Sequence, residues 1–479
     1  MGEVVAVVGA GPAGLAAAGR LAQSGREVVV LEAGGQPGGL SGTLRVDGYG
    51  FDYGGHRLIT RNPRVVSVAQ ELLGDELLCT QRVSRILFQR KFWSQPLEMA
   101  NAMRSVAPGV AARAVGGYLA AGSRRAVRRA HDERSFEDWV VARFGRPLYE
   151  LFFGPYTRKV WGVDPSMLAA AWAPRRIMVN GLAGFIKALL VSEHQRPATT
   201  TRHYLYPRRG AGQLYEGLAD RAERAGAEFR YRHRVETIDL GGDRVVVTAR
   251  NGQGPAELVA DAVVSTAPLP DLVRAVRPAP PVEVLEAAGS LRYRGIVFVF
   301  VRLDREVALG WDALYVPEPE YLFFRAEEPR YWSPALAPDN KTSLCFEIAA
   351  FPGDPVWSAT DQELADTCLR DLARMGFAIP AREVAGFHVA RRAHVYPMQL
   401  VDTEPVRATC LEWLATLRPR LQSVGRQGSF KYLDMDEALE SGWKAADVLG
   451  GEETDTEIAQ EAAYLWDANR RVAGVGRHG

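Results

Sequence analysis

Residues 4–40 read VVAVVGAGPAGLAAAGRLAQSGREVVVLEAGGQPGGL, and this stretch sets the fold. The apolar run Val4 to Val8 predicts a buried strand, Leu15 to Leu21 a helix, and Glu27 to Leu31 a second strand ending in Glu32. Gly9, Gly11 and Gly14 stand between strand and helix at G-x-G-x-x-G spacing. Gly9 permits the tight turn, Gly11 lets backbone approach a pyrophosphate, and Gly14 allows close helix–strand packing. The helix N-terminus offers free N–H groups and a positive dipole to phosphate. Glu32 stands where an acid accepts hydrogen bonds from a ribose diol. Together these features predict a dinucleotide-binding α/β sheet, and the motif suits NAD and FAD alike.

Composition bounds the rest. With 479 residues the chain can hold two or three domains around a large core. Hydrophobic content of 47% and charged content of 24% are those of an ordinary globular protein. A formal net charge of +1 gives no general case for nucleic-acid or membrane binding. Cys79, Cys345, Cys368 and Cys410 are widely spaced with no C-x-x-C, which argues against a zinc site or disulfide framework and suits a reducing cytoplasm. The first apolar run reads as a strand rather than a signal peptide, and no apolar segment is long enough to span a membrane. No metal is expected.

Beyond Glu32 the chain continues E-A-G-G-Q-P-G-G-L, with Gly34, Gly35, Gly38 and Gly39 extending the glycine path. This resembles the FAD-binding start of the amine oxidase, protoporphyrinogen oxidase and UDP-galactopyranose mutase group. The resemblance implies FAD, with Gly38 and Gly39 running close to its ribityl and phosphate parts. Farther on, GYGFDYGGH (48–56) reads as a short strand and a glycine pair, Gly54 and Gly55, that would let backbone pass a flat ring. His56 follows directly. Such a histidine could simply be hydrogen-bonded in a turn, but G-G-H-R-L-I-T resembles the segment in which mutases set a histidine at the flavin. Leu58 and Ile59 stand where mutases carry aromatic and histidine residues.

The spacing predicts a helix over Arg61–Leu73, a strand pair over Val83–Trp93 and a long helical region over Leu97–Val191. That region holds a basic run, Arg113, Arg124, Arg125, Arg128 and Arg129, which reads as a solvated face or as a phosphate funnel or membrane-surface patch. Tyr156, Thr157, Lys159 and Trp161 are expected on a turn between helices. Y-T-x-K-x-W resembles the mutase segment that contacts uridine and sugar; core aromatic packing would give the same pattern. Arg175 and Arg176 follow at about the distance of the mutase diphosphate grip, which makes Arg176 a candidate clamp.

After Tyr206–Glu216, a loop feeding a helix, strands are expected at Glu228–Tyr231, Arg234–Leu240, Arg244–Ala249 and Asp261–Ser265. Val235 stands where this group brings a backbone edge to the adenine. Leu291–Leu303 predicts a strong strand with Arg292 and Arg294 on the face of Ile296, Phe298 and Phe300. Arg294 matches the second mutase diphosphate arginine, and Tyr396-Pro397 matches a Y-P step; an exposed edge arginine is the plainer account of Arg294. Tyr321–Arg325, Ser343–Ile348 and Phe387–Tyr396 extend this second sheet. Finally GRQGSFKYLDMDEALESGWKAADVL (425–449) runs through a glycine turn into an amphipathic helix whose N-terminus suits the pyrimidine end of a flavin. Its G-R-x-x-x-x-K-Y-x-D-M-D is similar to the mutase signature. On that match Arg426 and Met435 lie near the flavin, Tyr432 near the sugar phosphate, and Asp434 near pocket and flavin; capping the helix is another role open to Asp434. A last helix is expected at Thr456–Val472.

The expectation is an α/β protein: a Rossmann-like two-dinucleotide-binding FAD domain (1–80, 206–290 and 405–450), an inserted mainly helical substrate or lid domain (81–205), an antiparallel-rich substrate sheet (291–404), and a C-terminal helix and tail (451–479). His56, Arg294, Tyr432 and Asp434 are the candidate catalytic residues. Gly9, Gly11, Gly14, Glu32, Gly38, Gly39, Gly55, His56, Val235, Arg426, Asp434 and Met435 are expected at the cofactor, and Tyr156, Trp161, Arg176, Arg294, Tyr396 and Tyr432 at a small-molecule substrate. Two reactions fit. In one, hydride passes between a sugar or glycoside-like hydroxy or amine substrate and flavin N5. In the other, a nucleotide-sugar mutase, reduced N5 bonds the anomeric carbon with no net redox change.

Overall fold

The computed structural model describes residues 3–95, 108–125, 133–173 and 203–450. Arg175, Arg176, Arg128, Arg129 and the expected helix at 456–472 lie outside them.

The first stretch folds as its pattern requires. Val4–Val8 pairs in parallel with Glu27–Glu32 across the helix Pro12–Gln23. Ala262–Ser265 joins on one side and Leu421–Ser423 beyond it, with Glu228–Tyr231 at the other edge, so the five-stranded parallel sheet draws on three distant parts of the chain. Both faces are covered, which explains continuous apolar runs rather than alternation. The helix Met435–Gly450 lies along Pro12–Gln23, and the buried Asp447 accepts from Arg20 Nε at 2.9 Å.

A smaller sheet, Gly254–Ala260, Val245–Asn251, Arg234–Asp239 and Val276–Arg277, sits beside it. The third layer is a seven-stranded sheet in the order Val384–Pro397, Tyr293–Leu303, Thr342–Ala350, Arg325–Glu327, Ala313–Tyr315, Ser84–Phe88, Lys91–Gln95. Its second strand, YRGIVFVFVRL, is an inner strand buried on both faces. Ile296, Phe298 and Phe300 pack toward Trp161 and Tyr396, while Val297, Val299 and Val301 pack toward the helix Asp361–Arg374.

Local structure differs from expectation in several places, and the strand expected at Tyr321–Arg325 is Arg325–Glu327. Tyr156, Thr157, Lys159 and Trp161 lie on a helix, Gly154–Trp161, not on a turn. Gly154-Pro155 reads as a breaker, yet proline at the first helical turn lacks only an N–H that would be unbonded anyway. His203–Pro207, expected to pass into a loop at Tyr206, is a buried strand paired with Leu77–Gln81. The hairpin 84–95, placed by expectation in a mainly helical unit, belongs to the seven-stranded sheet through Leu314↔Arg85. Among the described residues no helix is long and apolar enough to cross a membrane.

Candidate active site

The glycine turn has the geometry its spacing implies. Gly9 has φ +95°, and a Cβ there would lie 2.3 Å from Thr266 Oγ1. A Cβ on Gly14 would lie 1.9 Å from the Gly9 carbonyl oxygen, so helix and turn touch only because Gly14 lacks one. A Cβ on Gly11 would meet nothing within 4 Å; the backbone there faces open space. Gly38 (φ +104°) donates to the Ala10 carbonyl at 2.8 Å, and Gly39 (φ +55°) backs onto Gly11, folding the second glycine pair over the first. Glu32 accepts from Ala10 N–H at 2.7 Å and Gly34 N–H at 2.6 Å, one per carboxylate oxygen, and each oxygen retains a lone pair. Arg232 N–H and His233 N–H bond the Gly34 and Glu32 carbonyls. This brings Arg234–Asp239 up beside the acid. The parallel neighbour of that strand covers only Ile238 and Asp239, while Val235 pairs with Ala249 on the other edge beside a bulge.

The far end of the cradle is built from the C-terminal segment. Gly425 (φ +77°) rests against Ala13, where a Cβ would come 2.9 Å from the alanine methyl. Arg426 donates to the Leu433 carbonyl at 2.7 Å and its guanidinium lies 4.4 Å over the Tyr432 ring. Tyr432 stacks on Tyr396 at 5.4 Å, and Tyr396 tilts against Trp161 at 5.6 Å. Tyr396, Tyr432, Arg426 and Trp161 thus form one continuous aromatic stack. Trp161 is 1% exposed, also packs edge-on to Trp172, and serves as the stack's buried base. Asp434 is exposed, and its carbonyl accepts from Ala438 N–H to open the last helix; Met435 packs half-buried beneath it. The neighbouring Asp436 accepts from Thr60 Oγ1 at 2.5 Å, and burial raises its pKa.

His56 faces this stack from the Gly54-Gly55 turn. Its Nδ1 lies 3.0 Å from the Gly54 carbonyl, which fixes the proton on that nitrogen. Burial, then the charges of Arg426 and Arg325, bring its pKa down to about 3, so the ring is neutral in ordinary buffers. Tyr156 stands farther along, edge-on to Tyr315 and Phe324. Arg294 is buried behind the stack. Its Nε donates to the Val160 carbonyl (3.1 Å) and Nη2 to the Ala349 carbonyl (2.8 Å), Asp354 lies 3.5 Å from Nη1, and a Cβ on Gly162 would lie 2.6 Å from the guanidinium carbon.

Beneath His56 lies an ionic cluster that sequence reasoning missed. A Cβ on Gly54 would lie 3.0 Å from Glu347 and one on Gly55 2.7 Å from Glu327, so the turn sits directly on two carboxyls. Arg325 donates to Glu347 at 2.7 Å, across the strand register Arg325↔Glu347. Arg57 pairs with Asp312 at 3.4 Å, and Ser84 donates to Asp312 at 2.6 Å. Both Glu327 oxygens are buried without a hydrogen-bond donor, and Arg325 Nε, 3.1 Å away, is aimed at Glu347. Burial raises the Glu327 pKa well above the carboxylate range; Arg325 opposes this and Glu347 adds to it. A proton on Glu327 directed at Glu347 supplies the missing bond. Part of the signal was present in the sequence: Glu347 is the lone charge in the otherwise apolar strand TSLCFEIAA.

An open Gly11 backbone between a helix N-terminus and a folded-over glycine pair, with a half-used carboxylate at the second strand end, fits a dinucleotide. With a flat-ring stack at the opposite end, fold and site define an FAD flavoprotein. The chain belongs to the flavin-containing amine oxidoreductase family, whose pattern it matches over residues 12–449. It is 26% identical to a phytoene dehydrogenase of Streptomyces griseus over 410 residues, 77% of this chain and 78% of that one. Its fold is similar to that of reduced UDP-galactopyranose mutase, with TM-score 0.80 and 20% identity over 97% of this chain and 99% of that one. It is also similar to cyclohexylamine oxidase from Brevibacterium oxydans, with TM-score 0.66 and 19% identity over 94% and 99%. The protein is an enzyme, and its cofactor is FAD.

Proposed function

We propose that this oxidoreductase moves a hydride between a sugar or glycoside-like hydroxy or amine substrate and the flavin. Bound FAD supplies the hydride acceptor; the protein supplies position and charge. In this reading Gly9, Gly11, Gly14, Gly38, Gly39, Glu32 and Val235 hold the nucleotide end. Gly55, His56, Arg426, Asp434 and Met435 border the ring. Tyr156, Tyr396 and Tyr432 form the substrate wall, with Trp161 behind. A neutral His56 donates from Nδ1 to Gly54 and presents Nε2 to the pocket as an acceptor, able to orient a substrate hydroxyl without carrying charge.

The observation that carries this reading is the setting of Arg294. Its donors meet two backbone carbonyls and Asp354, so this cation positions Gly154–Trp161 against the sheet rather than waiting for a diphosphate. The second reading, a pyranose–furanose mutase of a nucleotide sugar, draws support from the Tyr396–Tyr432 stack with Arg426 over it, which suits a sugar phosphate. Anaerobic work separates the two. A substrate that bleaches the oxidised flavin supports the oxidoreductase. Turnover of UDP-galactopyranose only after dithionite reduction, with no electrons consumed, would replace it with the mutase. All four cysteines are free thiols, in keeping with a reducing cytoplasm.

A further inference from the structure

The chain enters the strand Arg234–Asp239 through a corner at Tyr231-Arg232-His233, and Arg232 holds φ +59° there. That left-handed backbone suits glycine or asparagine and strains a residue as large as arginine. The corner is held from several sides. Arg232 N–H donates to the Gly34 carbonyl and His233 N–H to the Glu32 carbonyl, each at 2.8 Å, and His233 Nδ1 lies 2.8 Å from the Tyr231 carbonyl. Strained residues fixed in this way cluster where a ligand is held.

The side chain is exposed, yet it does not run out into water. Nε and Nη2 lie 3.6 and 3.9 Å from where a Cβ on Gly35 would stand, so the guanidinium rests across the Gly35 backbone. Neither Gly34 nor Gly35 has a left-handed φ that would call for glycine. A Cβ on Gly34 would instead crowd Glu32 Oε1 at 2.9 Å, and any side chain on Gly35 would stand against the Arg232 fork. The two glycines thus clear space for one anion and one cation. Nearby exposed arginines fork an acid: Arg230 meets Glu228 at 2.7 and 3.2 Å, and Arg250 meets Glu236 at 2.6 and 3.1 Å. Among the described residues the Arg232 guanidinium has no such partner. Glu32 cannot serve, because its oxygens are committed to the Ala10 and Gly34 N–H groups.

Arg232 therefore stands at the corner between Glu32 and Val235. The glycine turn, which suits the pyrophosphate, lies on the Ala10 side of Glu32; Arg232 lies on the Gly34 side. The parallel edge of its strand is uncovered until Ile238. A nucleoside whose ribose meets Glu32 and whose base meets the edge at Val235 passes beside this guanidinium. We infer that Arg232 binds the adenine of FAD, laying its planar fork against the flat base and covering the nucleotide end of the site. This rests on FAD as the cofactor and adds to its site a residue that no glycine motif marks.

The test titrates FAD into the full-length apoprotein, follows quenching of flavin fluorescence, and measures apoprotein stability in urea alongside. Arg232→Gly removes the fork and relieves the left-handed strain. FAD should bind about threefold to thirtyfold more weakly, the range of one cation–ring contact. The apoprotein should be at least as stable as the parent. Arg232→Lys keeps the charge without the flat fork and should recover little of the affinity. Parent affinity in Arg232→Gly would overturn the inference. So would a loss of apoprotein stability large enough to account for the weaker binding, which would make the role structural. Full recovery by Arg232→Lys would overturn it as well, because a point charge would then suffice and the contact would be with a phosphate. A parent chain that binds no FAD would strike the cofactor itself, whereas variants that match an FAD-binding parent strike Arg232 alone.

Discussion

Gly442 of the last described helix sits on Ala13 of the first: a Cβ at 442 would lie 2.0 Å from the Ala13 carbonyl oxygen and 3.0 Å from the Ala16 methyl. The contact joins segments more than four hundred residues apart and sets the height of Gly425 and Arg426 over the glycine turn. Overpacking of this kind costs roughly 1–3 kcal/mol. Gly442→Ala should therefore lower the thermal midpoint and weaken FAD retention together. Gly450→Ala in the same helix, where a Cβ meets nothing within 4 Å, should be neutral or mildly stabilising. Equal effects from both would show that helix contact does not set the site.

Glu32 works before any ribose arrives. Its two oxygens accept the Ala10 and Gly34 N–H groups and so fix the turn to the end of the second strand. Glu32→Ala leaves both donors unbonded, at about 1–3 kcal/mol where they are shielded from water. The apoprotein should lose stability in urea, and FAD affinity should fall by more than the stability loss accounts for. A variant with parent apoprotein stability and weakened FAD affinity would assign Glu32 to the ribose alone.

How much of this was legible in the sequence depends on how local each feature is. The first forty residues were readable because strand, turn, helix and acid are neighbours in the chain and each carries its own signal. Ala313–Tyr315 and Arg325–Glu327 are three residues each, too short for a period, and exist because Thr342–Ala350 and Ser84–Phe88 flank them. Gly254–Ala260, where no strand was expected, opens with Gly254 and Pro255; it is an edge strand, the place where a proline is tolerated in a sheet. Motif resemblance singled out Tyr396 and Tyr432 one by one; their stacking on each other is seen only in the fold. The Arg325–Glu347 pair did not, because its meaning depends on cross-strand register, which no local pattern states.

His56 carries a signed prediction in pH. Its folded-state pKa, about 3, lies below the usual histidine value near 6.5. The unfolded chain therefore binds a proton that the folded chain refuses between those values. This contribution to stability is absent above pH 6.5 and becomes increasingly unfavourable as pH falls toward 3. His56→Gln should flatten the acid limb of a stability–pH curve over that window. The kcat/KM profile should show no limb near 6.5 that disappears in His56→Gln; such a limb would mean that the imidazole titrates normally and lies in a wetter site.

Glu327 has the opposite sign. Its folded pKa is raised by burial, so the folded state holds a proton that the unfolded chain releases near the ordinary glutamate value of 4.5. Stability from this group is present at acid pH and is lost as pH climbs from there through the raised folded value. Glu327→Gln keeps the shape and a donor toward Glu347 while removing the ionisation. The variant should match or exceed the parent in stability at neutral pH, with the margin growing in alkali. Arg325→Gln is expected to cost about 3–5 kcal/mol, because it strips the cation from a buried carboxylate. If Glu327→Gln were instead as damaging as Arg325→Gln in urea denaturation at pH 7, Glu327 would be an ionised partner of Arg325.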